Sequence, residues 1–317
     1  MSRSARAALL LLLTAMIWGA AFVAQDVAAD ALEPFTFNGL RMVLAALTLV
    51  PVIAFRHRAA CKAAAAAGAD AKAVKPTLLP QDPAQRRFLL LGGLACGVML
   101  ALGSGFQQLG INAGVQAGKA GFITALYIVL VPLTGLFFGK RPTLLVWVAV
   151  VLSAIGLYLV CMQGGFVLES GDILLLLCAL SFTGHILVVD YVGAKVDGVK
   201  LSCIQFAVTA VICLTIAAFT EHPTWAAVKT AAIPILYAGI LSGGVGYTLQ
   251  IVAQKDIDPT IASLIMCLES VFAVIFGWLL LGDQMSLREY LGCAVMMIGI
   301  VLAQVPAGGR CPPAPPA

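Results

Sequence analysis

Ten stretches of predominantly apolar residues divide this chain, and each approaches the length of about 20 residues that a helix needs to cross a lipid bilayer. The stretches lie at about 7–26, 35–55, 87–107, 113–138, 142–161, 170–190, 201–220, 231–253, 259–281 and 287–305. Of the 317 residues, 61% are hydrophobic and only 11% are charged, whereas about 25% of a soluble domain is charged. Such a composition is too apolar to cover the surface of a soluble fold. The sequence therefore predicts an all-α polytopic membrane protein with ten transmembrane helices.

The connections between these stretches are short, with one exception at residues 56–86. This segment is rich in Ala, Lys and Pro and predicts a long loop at the membrane surface, and the Pro-rich tail at 306–317 predicts disorder. At the N-terminus, two arginines followed by an apolar run fit a cleaved secretory signal as well as a first span. We prefer an uncleaved span, because the internal repeat described below includes it.

The Lys and Arg residues predict the orientation of the spans, because cytoplasmic loops carry an excess of these residues. With the N-terminus inside and the spans alternating, 15 of the 19 Lys and Arg residues lie on the cytoplasmic side, and only Lys229 and Arg288 lie outside. The remaining two, Arg41 and Lys119, lie within spans. Both termini are therefore predicted to be cytoplasmic.

The second half of the chain repeats the first. When the two halves are aligned, Trp18 corresponds to Phe182 before the long loop, and Gln107 corresponds to Gln250 after it. Two related five-helix units are predicted, at 7–161 and 170–305. Because five is odd, the second unit enters the membrane from the opposite side. Inverted repeats of this kind are typical of transporters, although a duplicated membrane scaffold would carry the same pattern.

Four titratable residues lie within the predicted spans, where a charged side chain costs about 2.5–3.5 kcal/mol on insertion scales. They are Arg41, Lys119, His185 and Glu269. Lys119 in the fourth span and Glu269 in the ninth belong to equivalent helices, so we expect them to share a central cavity. There they bind the charged ends of a solute or carry a coupling proton. A structural ion pair, or a Lys119 side chain that reaches the nearby interface, explains the same residues.

The other two titratable residues allow two interpretations each. Arg41 lies near the start of the second span, so it either lines the cavity or extends to the interface. His185 can relay protons near neutral pH, but a lone histidine in an apolar helix is equally explained by a hydrogen bond.

Aromatic residues and prolines within the spans are also open to two interpretations. The aromatic residues Trp18, Phe22, Tyr127 and Tyr247 either line a solute path or pack the bundle. Pro132 and Pro234 lie inside spans, where a proline kinks a helix and predicts a hinge, although static bundles contain such kinks too.

The sequence contains none of the patterns expected of a membrane-embedded enzyme. It has no HExxH, no Walker A loop and no GxSG-like turn, and Asp26 and Asp190 lie at span ends rather than as a pair within spans. The nine cysteines form no CxxC and predict free apolar side chains rather than a metal site or a disulfide framework. The net charge of +4 gives no indication of nucleic-acid binding. No catalytic residue, metal or cofactor is therefore predicted.

Several long patterns run through the spans. The first two spans contain IWGAAFVAQDVA and EPFTFNGLRMVLAALTLVP, the fourth contains AGKAGFITALYIVLVPL followed by FGKRP, and the eighth and ninth contain GGVGYTLQIVAQKDIDPTIASLIMCLESVFAVIFGWLLLGDQMS. Together with the topology and the repeat, these patterns resemble the drug/metabolite transporter (DMT) superfamily. Within it, residues 7–305 are similar to the ten-helix members with two EamA domains.

The resemblance implies a secondary carrier in the inner (plasma) membrane of a bacterium. In ten-helix members, spans 1–4 and 6–9 surround a central cavity and spans 5 and 10 are peripheral. The positions expected at or near this cavity are Trp18, Gln25, Arg41, Gln107, Lys119, Tyr127, His185, Gln250 and Glu269. Glu269 and His185 are the candidates for proton coupling. The expected partners are a small-molecule substrate, protons and the lipid bilayer, and no binding of nucleic acid is expected. The sequence leaves open whether the protein forms a homodimer.

The sequence thus predicts a secondary transporter of small organic solutes, such as amino-acid-like metabolites or drugs. It is expected to work by alternating access, and in the direction of export rather than import. A channel, or a membrane sensor that does not transport, is the alternative. The substrate and the coupling ion are not predicted, because the pattern of an apolar helix is the same whatever the protein carries.

Overall fold

A computed structural model of the chain describes residues 2–66, 79–115, 117–162, 169–281 and 286–304, except for the side chains of residues 61, 63–66, 117–119, 280 and 281. These ranges form helices joined by short turns and contain no β-strand. The middle of the predicted loop at 56–86 and the whole of the predicted tail at 306–317 lie outside the described residues.

The first half of the chain contains six α-helices that make five spans, the fourth span being α4 and α5 together. Their bounds are α1 Arg3–Ala29, α2 Pro34–Ala66, α3 Pro83–Asn112, α4 Ala117–Thr124, α5 Tyr127–Phe137 and α6 Leu144–Cys161.

The second half makes five further spans. Its elements are α7 Ser170–Gly193, α8 Gly198–Thr220, α9 Trp225–Thr230, α10 Ala232–Leu236, a π-helix Tyr237–Tyr247, α11 Thr248–Ala253, a 3₁₀ turn Gln254–Asp256, α12 Pro259–Met266, α13 Glu269–Phe276, a second π-helix Gly277–Leu281 and α14 Leu287–Ala303. The eighth span extends from α10 to the 3₁₀ turn, and the ninth consists of α12, α13 and the second π-helix.

Nine helical segments within the described ranges are long and apolar enough to cross a membrane. The remaining predicted span corresponds to α14, which is 17 residues long and packs along α6. The prediction of an all-α polytopic membrane protein is confirmed, and the ten predicted spans agree closely with these segments.

The helices begin where the sequence supplies side-chain caps. Asp82 accepts hydrogen bonds from two backbone N–H groups at the start of α3, and Asp197 does the same for α8. The end of α2 differs from the prediction, because the helix continues through Ala66 instead of ending near residue 55. The alanines that suggested a loop have the highest helix propensity of all residues, and they extend the helix.

Close contacts between α6 and α14 follow the inverted repeat. A Cβ atom on Gly156 would lie 2.7 Å from the carbonyl oxygen of Gly292. In the alignment that matches Gln107 with Gln250, Gly156 corresponds to Gly299, and Gly292 corresponds to Ala149. A Cβ atom on Gly299 would lie 2.9 Å from the Ala149 carbonyl oxygen. The two halves are therefore related by an approximate two-fold axis.

A second set of equivalent contacts joins the third span to α8 and the eighth span to α2. A Cβ atom on Gly97 would lie 2.9 Å from the carbonyl oxygen of Gln205, and one on Gly239 would lie 2.9 Å from the carbonyl oxygen of Arg41. Arg41 and Gln205 match in the same alignment that pairs Trp18 with Phe182. Arg41 and Gln205 are therefore equivalent positions, and the glycines that pack against them, Gly239 and Gly97, are equivalent as well.

A third set of contacts lies further along the same two spans. Gly103 packs on the ring of Phe182, and Gly246 packs on the ring of Trp18. Trp18 and Phe182 are again equivalent positions, so the glycines that contact them are equivalent too. The chain from Gly239 to Gly246 is longer by one residue than the chain from Gly97 to Gly103. The eighth span therefore contains one extra residue between the two contacts.

The extra residue lies in the π-helix Tyr237–Tyr247. A π-helix closes its hydrogen bonds from residue i to i+5, so it holds more residues per turn than an α-helix. It absorbs the insertion while the contacts on either side are preserved. The equivalent part of α3 remains a regular α-helix.

The fourth and ninth spans are interrupted at nearly equivalent positions, one residue apart in the alignment that pairs Gln107 with Gln250. The first interruption is the turn at Ala125 and Leu126, and the second is the turn at Cys267 and Leu268. None of these residues is proline or glycine, whereas Pro132, where a kink was predicted, lies inside α5. Both interruptions border the cavity described below.

Helices α2 and α8 run antiparallel and are joined at both ends. At one end, which we call the Arg56 end, Arg56 forms an ion pair of 3.1 Å with Asp197. At the other, the Glu221 end, the carboxylate of Glu221 accepts hydrogen bonds from the backbone N–H groups of Phe35 and Thr36, at 2.8 and 2.7 Å. These contacts cross between the two halves of the chain.

Candidate functional site

A cavity of about 40 Å³ lies between the two halves, and no residue of α6 or α14 lines it. A single water molecule needs about 10–15 Å³ of such space, so the cavity has room for a few waters. Eight of its lining residues are positions that the resemblance indicated: Trp18, Gln25, Arg41, Gln107, Tyr127, His185, Gln250 and Glu269. The backbone of Lys119 belongs to α4, but its side chain lies outside the described part of the chain. Its place at the cavity stays a prediction.

The aromatic residues Phe22 and Tyr247 also line the cavity. Six further lining residues were not selected from the sequence: Ala21, Thr124, Phe182, Ile186, Ser242 and Met266. Phe182 was detectable, because it is the repeat partner of Trp18. The others are small or apolar residues, and no property of the sequence distinguishes them from residues that pack the bundle.

Glu269 is buried at the first turn of α13, where its side chain is 6% exposed. Its carboxylate accepts a hydrogen bond of 3.1 Å from the hydroxyl of Tyr127, at the first turn of α5. A carboxylate at the start of a helix also interacts favourably with the helix dipole. Because each residue follows the interruption of its span, the pair joins equivalent elements of the two halves.

Arg41 lies seven residues beyond the start of α2, roughly 10 Å along the helix from the Glu221 end. It is 3% exposed, so it lines the cavity rather than extending to an interface. Its Nη1 donates to Oε1 of Gln25 at 3.3 Å, and the guanidinium lies 5.3 Å from the ring centre of Phe37. Among the described residues, Nε of Arg41 has no hydrogen-bond partner, and no carboxylate forms an ion pair with the guanidinium.

A directed chain of amides fixes the orientation of Gln250. Nε2 of Gln254 donates to the carbonyl oxygen of Ile186 at 3.4 Å, so Oε1 of Gln254 is the atom that accepts from Nε2 of Gln250, at 3.0 Å. The remaining amide atom of Gln250, its Oε1, is buried and has no partner in the described ranges. A residue that lines the cavity therefore carries an unused hydrogen-bond acceptor.

His185 is buried, and its Nε2 lies 3.0 Å from Oε1 of Gln205. Gln205 is the repeat equivalent of Arg41. In each half, therefore, this position of the second helix forms a hydrogen bond to the first helix of the same half. The bond to Gln205 accounts for a histidine inside an apolar helix, and a role in proton transfer stays a prediction.

Two aromatic rings form one wall of the cavity. The rings of Trp18 and Tyr247 lie 4.6 Å apart, and Nε1 of Trp18 donates to the carbonyl oxygen of Ser242 at 3.2 Å. Tyr247 also contacts the ring of His185 edge-on, at 5.9 Å. Ser242 and Tyr247 both belong to the π-helix, so the inserted residue lies next to the cavity.

Possible metal ligands are dispersed in the part of the chain that the structure describes. No three His, Cys, Asp or Glu side chains there are grouped in a way that could hold a metal ion. The seven cysteines whose side chains the structure describes are free thiols, most of them buried.

A family model and two sequence relatives indicate a transporter, and a solved structure shares the fold. A family model described as the EamA-like transporter family matches the chain twice, over residues 5–162 and 169–304. An "Uncharacterized transporter" of Archaeoglobus fulgidus is 26% identical over 93% of this chain and 84% of its own length. The "Uncharacterized transporter YwfM" of Bacillus subtilis is 23% identical over 93% of this chain and 92% of its own. A crystal structure with 16% identity shares the fold, with a TM-score of 0.73 over 95% of this chain and 96% of the other.

Proposed function

The chain belongs to the EamA-like transporter family, and on that premise we propose that it is a secondary carrier that exports small organic solutes by alternating access. The solutes are amino-acid-like metabolites or drugs. The protein is a multi-pass membrane protein, which we place in the inner membrane with both termini in the cytoplasm. That orientation follows from the excess of Lys and Arg on one side of the spans.

The observation that carries this proposal is the cavity between the inverted halves. Both halves contribute buried polar groups to it, and the pair of Tyr127 and Glu269 connects them. Buried polar groups without partners are costly unless something else binds them. A polar solute that enters the cavity supplies those partners.

The size of the cavity favours a carrier over a channel. A channel needs a continuous pore lined by coordinating groups, whereas this cavity has room for only a few waters. Opening it to a solute therefore requires one half to move against the other, as inverted-repeat carriers do.

Glu269 and His185 are the groups we assign to proton coupling. Both line the cavity and both can bind a proton. Glu269 contacts the opposite half through Tyr127, so protonation of its carboxylate acts directly on a contact between the halves. Lys119, the one charged residue in the sequence of the fourth span, is proposed to bind solute or to balance Glu269.

The proposal is tested by the metabolite profile of the medium from cells that overproduce the protein. We compare these cells with cells that carry the empty vector and with cells that produce Lys119→Ala or Glu269→Gln at matched membrane levels. Export predicts that a small set of solutes accumulates with the wild type and is reduced with the variants. Profiles that match the empty vector contradict export of cellular metabolites.

Reconstituted vesicles then identify the class of transport protein. A carrier gives saturable flux and accelerated exchange when solute is present on both sides. Flux that does not saturate indicates a channel, and solute binding without flux indicates a sensor.

A further inference from the structure

Arg41 is a buried cation for which the described residues provide no anion. It donates one hydrogen bond, from Nη1 to the neutral side chain of Gln25, and its contact with the ring of Phe37 supplies no negative charge. A buried charge without a counter-ion is strongly destabilising unless a partner arrives from elsewhere.

The packing of the fold does not require a cation at this position. Its repeat equivalent is Gln205, which is neutral. Gly97 approaches the carbonyl oxygen of Gln205 as closely as Gly239 approaches that of Arg41. The same helix packing therefore forms with the amide of Gln205 in one half and with the guanidinium of Arg41 in the other. Helix packing does not explain the positive charge of Arg41.

The side of the Arg41 guanidinium that carries Nε and Nη2 has the geometry to bind a carboxylate. A carboxylate binds arginine most strongly through two parallel N–H···O bonds. Nη1 of Arg41 is occupied by Gln25, whereas among the described residues nothing forms a hydrogen bond with the buried Nε or with Nη2. The Nε and Nη2 edge is the side that can accept a carboxylate in this bidentate geometry.

The rest of the cavity complements such a solute. Gln250 carries an unused buried acceptor on the amide chain described above, so it suits an N–H or O–H donor. The rings of Trp18 and Tyr247 suit an apolar portion. By residue count, Gln250 lies near the Arg56 end of its span, whereas Arg41 lies towards the Glu221 end.

We propose that the solute is a small carboxylic acid whose carboxylate binds the Nε and Nη2 edge of Arg41, and whose donor group, such as an amine or a hydroxyl, binds Gln250. This inference rests on the proposed carrier function for its biological meaning, but its test is a direct measurement of binding.

The binding test uses the purified full-length protein in detergent and its thermal unfolding. The probes are amino acids, 2-hydroxy acids and simple monocarboxylates, each paired with its neutral carboxamide. Since a ligand that binds only the folded state raises Tm, at least one acid is expected to raise Tm while its carboxamide does not. The proposal is wrong if no acid raises Tm, or if the carboxamides raise it equally.

Three variants localise the binding. Arg41→Gln places the amide of the equivalent position in the cavity, and we expect it to weaken acid binding about 10- to 100-fold, because hydrogen bonds to charged groups are the strong ones. Gln25→Glu keeps Arg41 but supplies an internal carboxylate beside Nη1, so we expect it to compete with the solute. Arg288→Gln removes an arginine on α14, outside the cavity, and serves as the control for loss of charge.

The variants also keep the test decisive if one of them does not fold. Should Arg41→Gln be unstable, Gln25→Glu still separates a carboxylate site from a structural arginine. Acid binding that is unchanged in a folded Arg41→Gln or Gln25→Glu protein overturns the proposal.

Flux measurements distinguish failure of this inference from failure of the carrier function. Vesicles containing the wild type are loaded with the acid that binds and with its carboxamide. Binding of the acid without flux keeps the inference and rejects the carrier. Saturable flux of neutral solutes alone keeps the carrier and rejects the inference.

Discussion

The hydroxyl of Tyr127 donates a hydrogen bond of 3.1 Å to the carboxylate of Glu269, and this bond connects the two inverted halves at the cavity. The two residues occupy matching places, each at the first turn after the break in its span. Any motion that separates the halves at this level must break or replace the bond.

Tyr127→Phe removes this bond and leaves a buried carboxylate without its donor. We expect a loss of about 1–3 kcal/mol in stability, seen as a lower Tm, together with a strong decrease in transport rate. Tyr237→Phe is the matched control, because the Tyr237 hydroxyl donates at 2.9 Å to the Ile17 carbonyl oxygen and Tyr237 does not line the cavity. If both variants transport equally well, the bond has no specific role in transport.

Glu269→Gln replaces the carboxyl group by a neutral amide of the same shape, which cannot carry a proton. Solute efflux from vesicles is expected to respond to an imposed pH gradient in the wild type but not in this variant. Exchange of solute for solute should continue, because it moves no net proton. A variant that still responds to the gradient shifts the assignment to His185, and His185→Gln is then tested in the same way.

Gly156→Ala and Gly292→Ala test the contact between α6 and α14. An added Cβ atom would lie 2.7 Å from a carbonyl oxygen of the facing helix in each case, so the helices must separate. Overpacking of this kind costs roughly 1–3 kcal/mol, and Tm should fall with little change in solute affinity. Gly135→Ala is the control, because its Cβ atom would have its nearest neighbour at 3.6 Å. An equal loss of Tm in the control would argue against tight packing as the cause.

Deletion of Leu241 tests the one-residue insertion in the eighth span. Removing it allows the π-helix to become an α-helix while Gly239 and Gly246 keep their contacts, so we expect normal amounts of folded protein in the membrane. Deletion of Leu102 in the regular helix α3 is the comparison, since it rotates Gly103 and Gln107 by about 100° about the helix axis. We expect that protein to be unstable or absent. Equal tolerance of the two deletions would contradict the insertion.

Lys140 and Asp190 form an ion pair of 2.8 Å between the two halves, near the Arg56 end. The pair is partly exposed, so its contribution to stability is only about 0–1 kcal/mol. Lys140→Asp should instead make the cavity easier to reach from this end, measured as faster labelling of a cysteine introduced at Ile186 in a background without other reactive cysteines. The double variant Lys140→Asp, Asp190→Lys should restore slow labelling. Unchanged labelling in the single variant would show that the pair does not restrict access.

The sequence predicted the spans and the polar part of the site for the same reason. Long apolar runs are rare outside membranes, and within them a polar or charged residue stands out. Arg41, Gln107, Gln250 and Glu269 were selected in this way or through the resemblance, and the structure brings them around one cavity. Met266 and Ile186 were not selected, because an apolar residue at a cavity looks the same as one in the core.

The breaks in the helices were not predicted from the sequence. The turn at Ala125 and Leu126 contains neither proline nor glycine, so local propensity gives no signal for it. The inserted residue was not predicted either, because the second part of the alignment was based on the match of Gln107 with Gln250, which lies beyond the insertion. Only the contacts of Gly97 and Gly239 reveal that the alignment shifts by one position before it.

The π-helix makes the two halves unequal at the cavity between them. In a carrier built from two identical inverted halves, exchanging their conformations would convert the outward-open state into an inward-open state of the same energy. Here the third span is a regular α-helix, whereas the equivalent eighth span contains a π-helix with one additional residue. If the protein works by the proposed alternating access, its two open states therefore differ in energy even without a gradient, and the empty carrier favours one side of the membrane.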